Sequence, residues 1–280
     1  MEASSHVYSL IELNNGNIAS GLFNGDIAIW NIKTQLCIAT LKGHSESVSS
    51  LIQLKNGNII SASVDRTIKI WDIKANQCIN TLTGHTDWVN YICKLENENI
   101  ISASHDKTIK IWDAETGECI HTLNGHGDSV YCVIQKKNRN YVSSDVNGVI
   151  KIWDVRTNKC ISTLNAHSDW CIRVVELKNG FIASTGSKDK TIKLWDTTSK
   201  KCIVTLNGHR DGVWSLIELR NGNLGSGSCD KTIQIWDFET FECIQILTGH
   251  IDWIRDIKEL KNGNIISGSD DKTIKIWERI

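Results

Sequence analysis

GHSESVSSLIQLKNGNIISASVDRTIKIWDIKANQCINTL, residues 43–82, is one complete structural unit, and the chain repeats it. Its tryptophan, Trp71, has counterparts at Trp30, Trp112, Trp153, Trp195, Trp236 and Trp277, at separations of 41, 41, 41, 42, 41 and 41 residues. A period of that size marks a radial or stacked array, in which no unit buries its apolar face alone. Val48 to Leu54, Asn58 to Ser63, Thr67 to Trp71 and Cys78 to Leu82 are short apolar or Ser/Thr-rich runs bounded by turn residues, the pattern of strands and not of helices. Asn56-Gly57 tolerates positive φ and suits a tight antiparallel turn, and Asn15-Gly16, Asn179-Gly180, Asn221-Gly222 and Asn262-Gly263 repeat the device. Proline is absent, which removes one reason to break a strand. Four strands per unit and seven units without a long linker read as one all-β domain over residues 1–280.

These residues resemble the WD-repeat (WD40) family over nearly the whole chain. The Trp-Asp pair stands at Trp71-Asp72, Trp112-Asp113, Trp153-Asp154, Trp195-Asp196 and Trp236-Asp237, with Trp30-Asn31 and Trp277-Glu278 as departures. Gly-His stands at His44, His85, His126, His209 and His250, with Ala166-His167 as the variant. The resemblance implies a seven-bladed β-propeller, each blade a four-stranded sheet packed around a central channel. It also implies a hydrogen-bonded tetrad inside each blade. By motif position this carries to His44, Ser61, Asp65, Trp71; His85, Ser102, Asp106, Trp112; His167, Thr185, Asp189, Trp195; His209, Ser226, Asp230, Trp236; and His250, Ser267, Asp271, Trp277. Such a set gives a buried indole N–H its acceptor and orients an imidazole between hydroxyl and carboxylate, so these His, Ser and Asp read as fold-locking networks and not as hydrolase triads. In the fourth copy Asn147 takes the place of the Asp, and in the first Asn24 does, while the first His position falls on Ala3. Those two blades are expected to be locked less firmly.

The ends raise a question of closure. Six copies of the fourth strand begin at Cys37, Cys78, Cys119, Cys160, Cys202 and Cys243, and a seventh would begin beyond the C-terminus. In the family the N-terminal segment normally supplies it, whereas here only Met1 to His6 precede the first strand. Blade seven is therefore expected to lack its outer strand or to improvise one, with the chain a piece of a longer parent or a shortened propeller. An open edge there would invite pairing with another chain, and oligomeric state stays open.

The net charge, 31 − 32 = −1, argues against an electrostatic grip on nucleic acid or on an anionic membrane. No long apolar span or apolar segment after Met1 is evident, which places the expected location in cytosol or nucleus. The ten cysteines, six of them at one position in six blades, read as small buried apolar residues in a reducing compartment and not as a disulfide framework.

Function has to come from positions the fold does not need. Subtracting the seven repeat tryptophans from 11 leaves Trp88, Trp170, Trp214 and Trp253. Three of these lie three residues after the motif histidine and Trp214 lies five after it, where family resemblance places the top face around the channel. Tyr8, Tyr131 and Arg255 share the five-after register. Glu46, Asp87, Asp128, Asp169, Asp211 and Asp252 lie two after the motif position, suited either to an Arg or Lys of a bound peptide or to capping their own loops. The expected function is a noncatalytic scaffold that holds a protein or linear peptide on the top face. The alternative is a substrate-recognition or targeting module of a larger assembly, such as a ubiquitin-ligase receptor or a histone-reading subunit. No catalytic residue, metal ligand or cofactor is assigned, because no nucleophile set, ligand cluster or phosphate loop stands outside the repeat.

Overall fold

The computed structural model describes residues 1–278. The strands form seven antiparallel sheets, which we number as blades 1 to 7 in chain order; six have four strands in sequential order and blade 7 has three. The inner strands, Val7–Glu12, Val48–Gln53, Val89–Lys94, Val130–Gln135, Cys171–Glu176, Val213–Glu218 and Ile254–Glu259, stand side by side around the channel. Each second strand, such as Ile59–Ser63, is buried from end to end, and each outer strand, such as Gln77–Leu82, is mostly exposed. The seven-bladed propeller expected from the repeat is the fold observed.

The glycines of the Asn-Gly turns do adopt positive φ, with Gly57 at 95°. At the matching turns of blades 3 and 4 Glu98 and Arg139 occupy the left-handed region without help from glycine, at 66° and 71°. Apolar clusters form between neighbouring blades: Trp71 packs with Leu13, Ile29, Leu41 and Leu51, closing blade 1 against blade 2. On the side opposite the channel mouth, the turns of six blades donate a backbone N–H to the last inner-strand side chain next door, as Lys137 does to Glu176 and Lys178 to Glu218, at 2.7 and 2.8 Å, while Lys55 of blade 2 donates to Glu98 in the turn of blade 3.

The tetrads hold with two corrections. In blade 2 His44 Nδ1 meets Asp65 at 2.7 Å, its Nε2 meets Ser61 at 2.7 Å, and Trp71 Nε1 donates to the same Ser61 oxygen at 2.7 Å. The sets of His85, His209 and His250 repeat this geometry. In blade 5 the hydroxyl is Ser184 and not Thr185: His167 and Trp195 bond Ser184 at 2.8 and 2.9 Å, while Thr185 accepts the N–H of Arg173. The extra residue of this repeat lies between strand and tryptophan, so counting back the usual ten residues from Trp195 stops one short of Ser184. In blade 4 Asn147 leaves no gap, because Asp145, two residues earlier, bonds His126 Nδ1 at 2.7 Å while Ser143 serves His126 Nε2 and Trp153. Asp145 is buried and also receives the N–H groups of Asn147 and Val149. Blade 4 thus carries a complete tetrad, contrary to the expectation of weaker locking. Blade 1 does carry a reduced one, Trp30 on Ser20, with Asn24 bonded only to Asp26.

The cysteines need a third correction. All ten are free, yet Cys37, Cys78, Cys119, Cys160, Cys202 and Cys243 are exposed, since the outer strand turns them to solvent; Cys132, Cys171 and Cys229 are the buried ones.

Blade 7 improvises its fourth strand. Glu2 bridges Thr273, Ala3 N–H donates to Lys272 C=O, and Met1 and Ile274 exchange N–H to C=O bonds at 2.8 and 2.9 Å. Met1 and Ala3 join the cluster of Leu10, Leu22, Trp30 and Ile274 that seals blade 7 to blade 1. The open blade is therefore latched by three residues.

Candidate functional site

Every inner strand is broken by a bulge at one equivalent residue. The register slips across Tyr8, Ser49, Asn90, Tyr131, Ile172, Trp214 and Arg255. An extra, unpaired residue re-aims its side chain, and seven such bulges in phase send seven side chains toward one axis. All seven line a cavity of about 210 Å³ at the channel mouth. Four of the residues singled out from sequence, Tyr8, Tyr131, Trp214 and Arg255, are thereby placed together, and Trp88 joins them from the rim.

The other tryptophans stack on this ring from outside. Trp170 lies over Tyr131, centroids 5.7 Å apart at 26°, and Trp253 over Trp214, 6.2 Å at 30°. Trp88, Trp170 and Trp253 remain 46%, 40% and 39% exposed, so the stacking orients the rings without hiding them. His105 continues one arc, stacked on Trp88 at 4.7 Å and edge-on to Tyr131 at 5.4 Å. Across the mouth the Arg255 guanidinium sits 4.3 to 4.9 Å from the rings of Trp214, Trp253 and Tyr8. Asp270 accepts from Arg255 Nε and Nη2 at 2.9 and 2.6 Å. Burial by itself would lower the Arg255 pKa, but these bonds outweigh it and raise it. Burial pushes the Tyr131 phenol up to about 12 and lowers His105, so the phenol is a neutral hydrogen-bonding group near pH 7.

Below the cavity the channel is blocked. Arg173 lies over the Tyr91 ring at 4.5 Å and faces Asp256 at 3.6 Å, and Lys258 bonds Asp256 at 2.9 Å. Asp256 also receives the N–H of Leu10, tying blade 7 to blade 1. The site is a cup whose floor is a charge cluster in which Arg173 and Lys258 share the carboxylate of Asp256.

The loop acids behave as local caps. Asp87, Asp128, Asp169, Asp211 and Asp252 each accept the N–H of the next residue, Trp88, Ser129, Trp170, Gly212 and Trp253. Asp169 is also paired with Lys188.

Sequence reading missed Phe23, Val64, His105 and Asp270, which stand just before the tetrad carboxylate or its substitute. A fixed backbone bond explains them: Phe23, Val64, His105 and Asp270 donate N–H to the carbonyls of His6, Ser47, Trp88 and Trp253, pinning this position beside the three-after residue in each blade. That periodic position was the available signal. Among the described residues no group of three or more His, Cys, Asp or Glu is placed to hold a metal ion. No described helix is long and apolar enough to cross a membrane.

A search of curated proteins returned no match. Among solved structures, the crystal structure of the WD40 β-propeller domain of Doa1 aligns over 100% of this chain and 95% of its own, with a TM-score of 0.91 and 24% identity, a likeness of fold alone. The profile described as "WD domain, G-beta repeat" matches residues 35–72, 76–113, 117–154, 158–196, 200–237 and 241–278. With six profile matches covering most of its length, the chain belongs to the WD-repeat family.

Proposed function

We propose that the protein is a noncatalytic interaction scaffold that holds a linear peptide or partner domain on its top face, over the aromatic cup. Propellers of this family generally mediate protein interactions and are typically noncatalytic. The observation that carries the reading is the cup itself: seven bulges deliver Tyr8, Tyr131, Trp214 and Arg255 to one cavity, and the rim adds three exposed tryptophans that no tetrad uses. Exposed tryptophan costs solubility unless it is covered, and interface energy concentrates on such residues. An Arg or Lys anchor on the partner would stack on the arc of Trp88, His105, Tyr131 and Trp170, because Arg255 already fills the cage of Tyr8, Trp214 and Trp253.

The test is affinity capture from the source cell with the wild type and with Trp88→Ala, Trp170→Ala and Trp253→Ala. Because these rings are half-exposed, the variants should melt within a few degrees of the wild type while partner recovery falls at least about tenfold, or 1.4 kcal/mol. Collapse of the fold with unchanged recovery per folded molecule would make these tryptophans core residues and move the working surface elsewhere.

A further inference from the structure

The cup is lined by two arginines whose surroundings differ. Arg255 at the mouth commits two of its N–H donors to Asp270, at 2.9 and 2.6 Å. Arg173 stands on the next ring down, one residue past the bulge, in register with Ser50, Tyr91, Cys132 and Asp256. Its side chain is only 14% exposed, yet among the described residues it makes no hydrogen bond to a carboxylate or a carbonyl oxygen. Asp256 stands 3.6 Å away, and Tyr91 and the Cys132 thiol lie beside the guanidinium. A guanidinium is always charged and carries five donors, and burying donors without full acceptors is costly.

Asp256 does not supply what is missing, because both its oxygens are taken. Oδ2 accepts the N–H of Leu10 and Oδ1 accepts from Lys258, each at 2.9 Å. Two cations thus share one carboxylate, and the cluster carries one positive charge in excess. The walls decide from which side that charge is reached. Arg173 lines both the cup and the cavity beneath it. The lower cavity also presents the carboxylates of Glu12 and Asp256, which repel an anion, whereas no Asp or Glu lines the cup. At the mouth Asp270 is engaged by Arg255, and the rim aspartates turn to the N–H groups of their own loops. The cup holds about 210 Å³, the share of about seven waters, which admits one side chain or a chain end and no folded element.

We infer that the occupant of the cup carries a carboxylate, which enters from the mouth, seats on Arg173 and balances the charge that Asp256 leaves uncovered. The inference rests on the reading of the cup as the partner surface and names the chemistry of the partner's anchor, an Asp or Glu side chain or the terminal carboxylate of a peptide. A carboxylate brings one negative charge and two coplanar oxygens, the match for a guanidinium fork. A phosphate brings about −1.5 to −2, more than the single excess charge balances. Seated on the axis, the carboxylate leaves the arc of Trp88, His105, Tyr131 and Trp170 to the neighbouring residue of the peptide.

The test is NMR of the whole chain with nitrogen-15 arginine, titrated at constant ionic strength with paired probes. Acetyl-Gly-Gly as free acid and as amide reports on a chain end, and amidated acetyl-Gly-Glu-Gly and acetyl-Gly-Gln-Gly report on a side chain. The expected result is a saturable shift of the Arg173 Nε–H signal with a carboxylate probe, and binding at least about tenfold weaker for its uncharged counterpart. The pair that shows this identifies the source of the carboxylate. Arg173→Gln should lose the difference between charged and uncharged probes. Asp256→Asn removes the competing charge, keeps an oxygen for Leu10 and should bind the carboxylate at least about threefold more tightly, a gain that a damaged fold cannot produce. Equal binding within both pairs, an unmoved Arg173 signal at the highest probe concentration, weaker binding to Asp256→Asn, or tighter binding of inorganic phosphate would overturn the inference. If Trp170→Ala loses its partner while the carboxylate probes fail, this inference alone falls. If the probes bind and capture is independent of Trp170, the partner surface lies elsewhere and the carboxylate site stands.

Discussion

Replacing Trp112 with alanine removes a side chain that is 1% exposed and packed between blades 2 and 3. At roughly 150 to 250 Å² buried and about 25 cal/mol/Å², the lost transfer term is about 4 to 6 kcal/mol. Partial refilling of the cavity brings the usual cost of such truncations to about 3 to 5 kcal/mol. The Ser102 oxygen also loses the indole N–H, although His85 still bonds it at 2.7 Å. For a chain of this size about 4 kcal/mol corresponds to a fall in Tm on the order of 10 °C. Two variants scale the effect. Trp277→Ala should cost clearly less, because the open side of blade 7 leaves that ring half-buried. Lys74→Ala, on an exposed turn, should stay within about 0.5 kcal/mol. The assay is thermal unfolding followed by circular dichroism, with urea titration as a check. A Trp112→Ala Tm within about 2 °C of the Lys74→Ala value would refute the claim that the repeated tryptophans lock the blades.

Asp145→Asn should destabilise by about 1 to 3 kcal/mol, since it leaves a buried imidazole without its carboxylate, while Asn147→Ala should cost less than about 1 kcal/mol; urea denaturation of both checks the assignment. Lowering the pH should destabilise the fold in two stages. Burial lowers the imidazoles of His85 and His250 despite their Asp partners, so below about pH 6.5 the unfolded chain binds protons that the fold does not. Burial would raise the tetrad carboxylates, but bonds from His and Thr outweigh it and hold Asp189 and Asp271 at about 2 and Asp65, Asp106 and Asp230 lower still. Their contribution is complete above about pH 4 and is lost as pH falls toward their folded values, so Tm should hold from pH 8 to about 7 and then decline in two stages, below about pH 6.5 and again below about pH 4. Supplying the outer strand of blade 7 in cis should raise Tm and reduce any concentration-dependent association, both readable by calorimetry and sedimentation.

The period of 41 residues made the propeller legible because each blade repeats one set of buried contacts, and position in the repeat then stood for position in space. That logic fails where a repeat changes length or carries its carboxylate at another position. Thr185 took the place of Ser184 because the inserted residue falls between strand and tryptophan, and Asp145 was passed over because the carboxylate had moved two positions along the chain. The mouth was legible in part. Register placed Tyr8, Tyr131, Trp214 and Arg255 on one ring, but the bulges that aim them inward carry no distinctive residue type. His105 and Asp270 were missed because their proximity to Trp88 and Arg255 comes from a backbone bond between distant turns. The latch by Met1 to Ala3 was legible only as an absence, since three residues without the Cys-Ile-x-Thr-Leu pattern give no strand signal.

On the proposed function, the partner covers the mouth of the channel. Photo-crosslinking tests it directly: a photoreactive amino acid replaces Ser49 at the mouth in one variant and the exposed Ile79 on the circumference of blade 2 in another. Both are exposed to light in source-cell extract and their adducts compared. Partner adducts are expected from position 49 and few from position 79, with the adducts at 49 lost when Trp170 is replaced by alanine. Adducts formed at position 79 and not at 49, or formed at 49 regardless of Trp170, would contradict it.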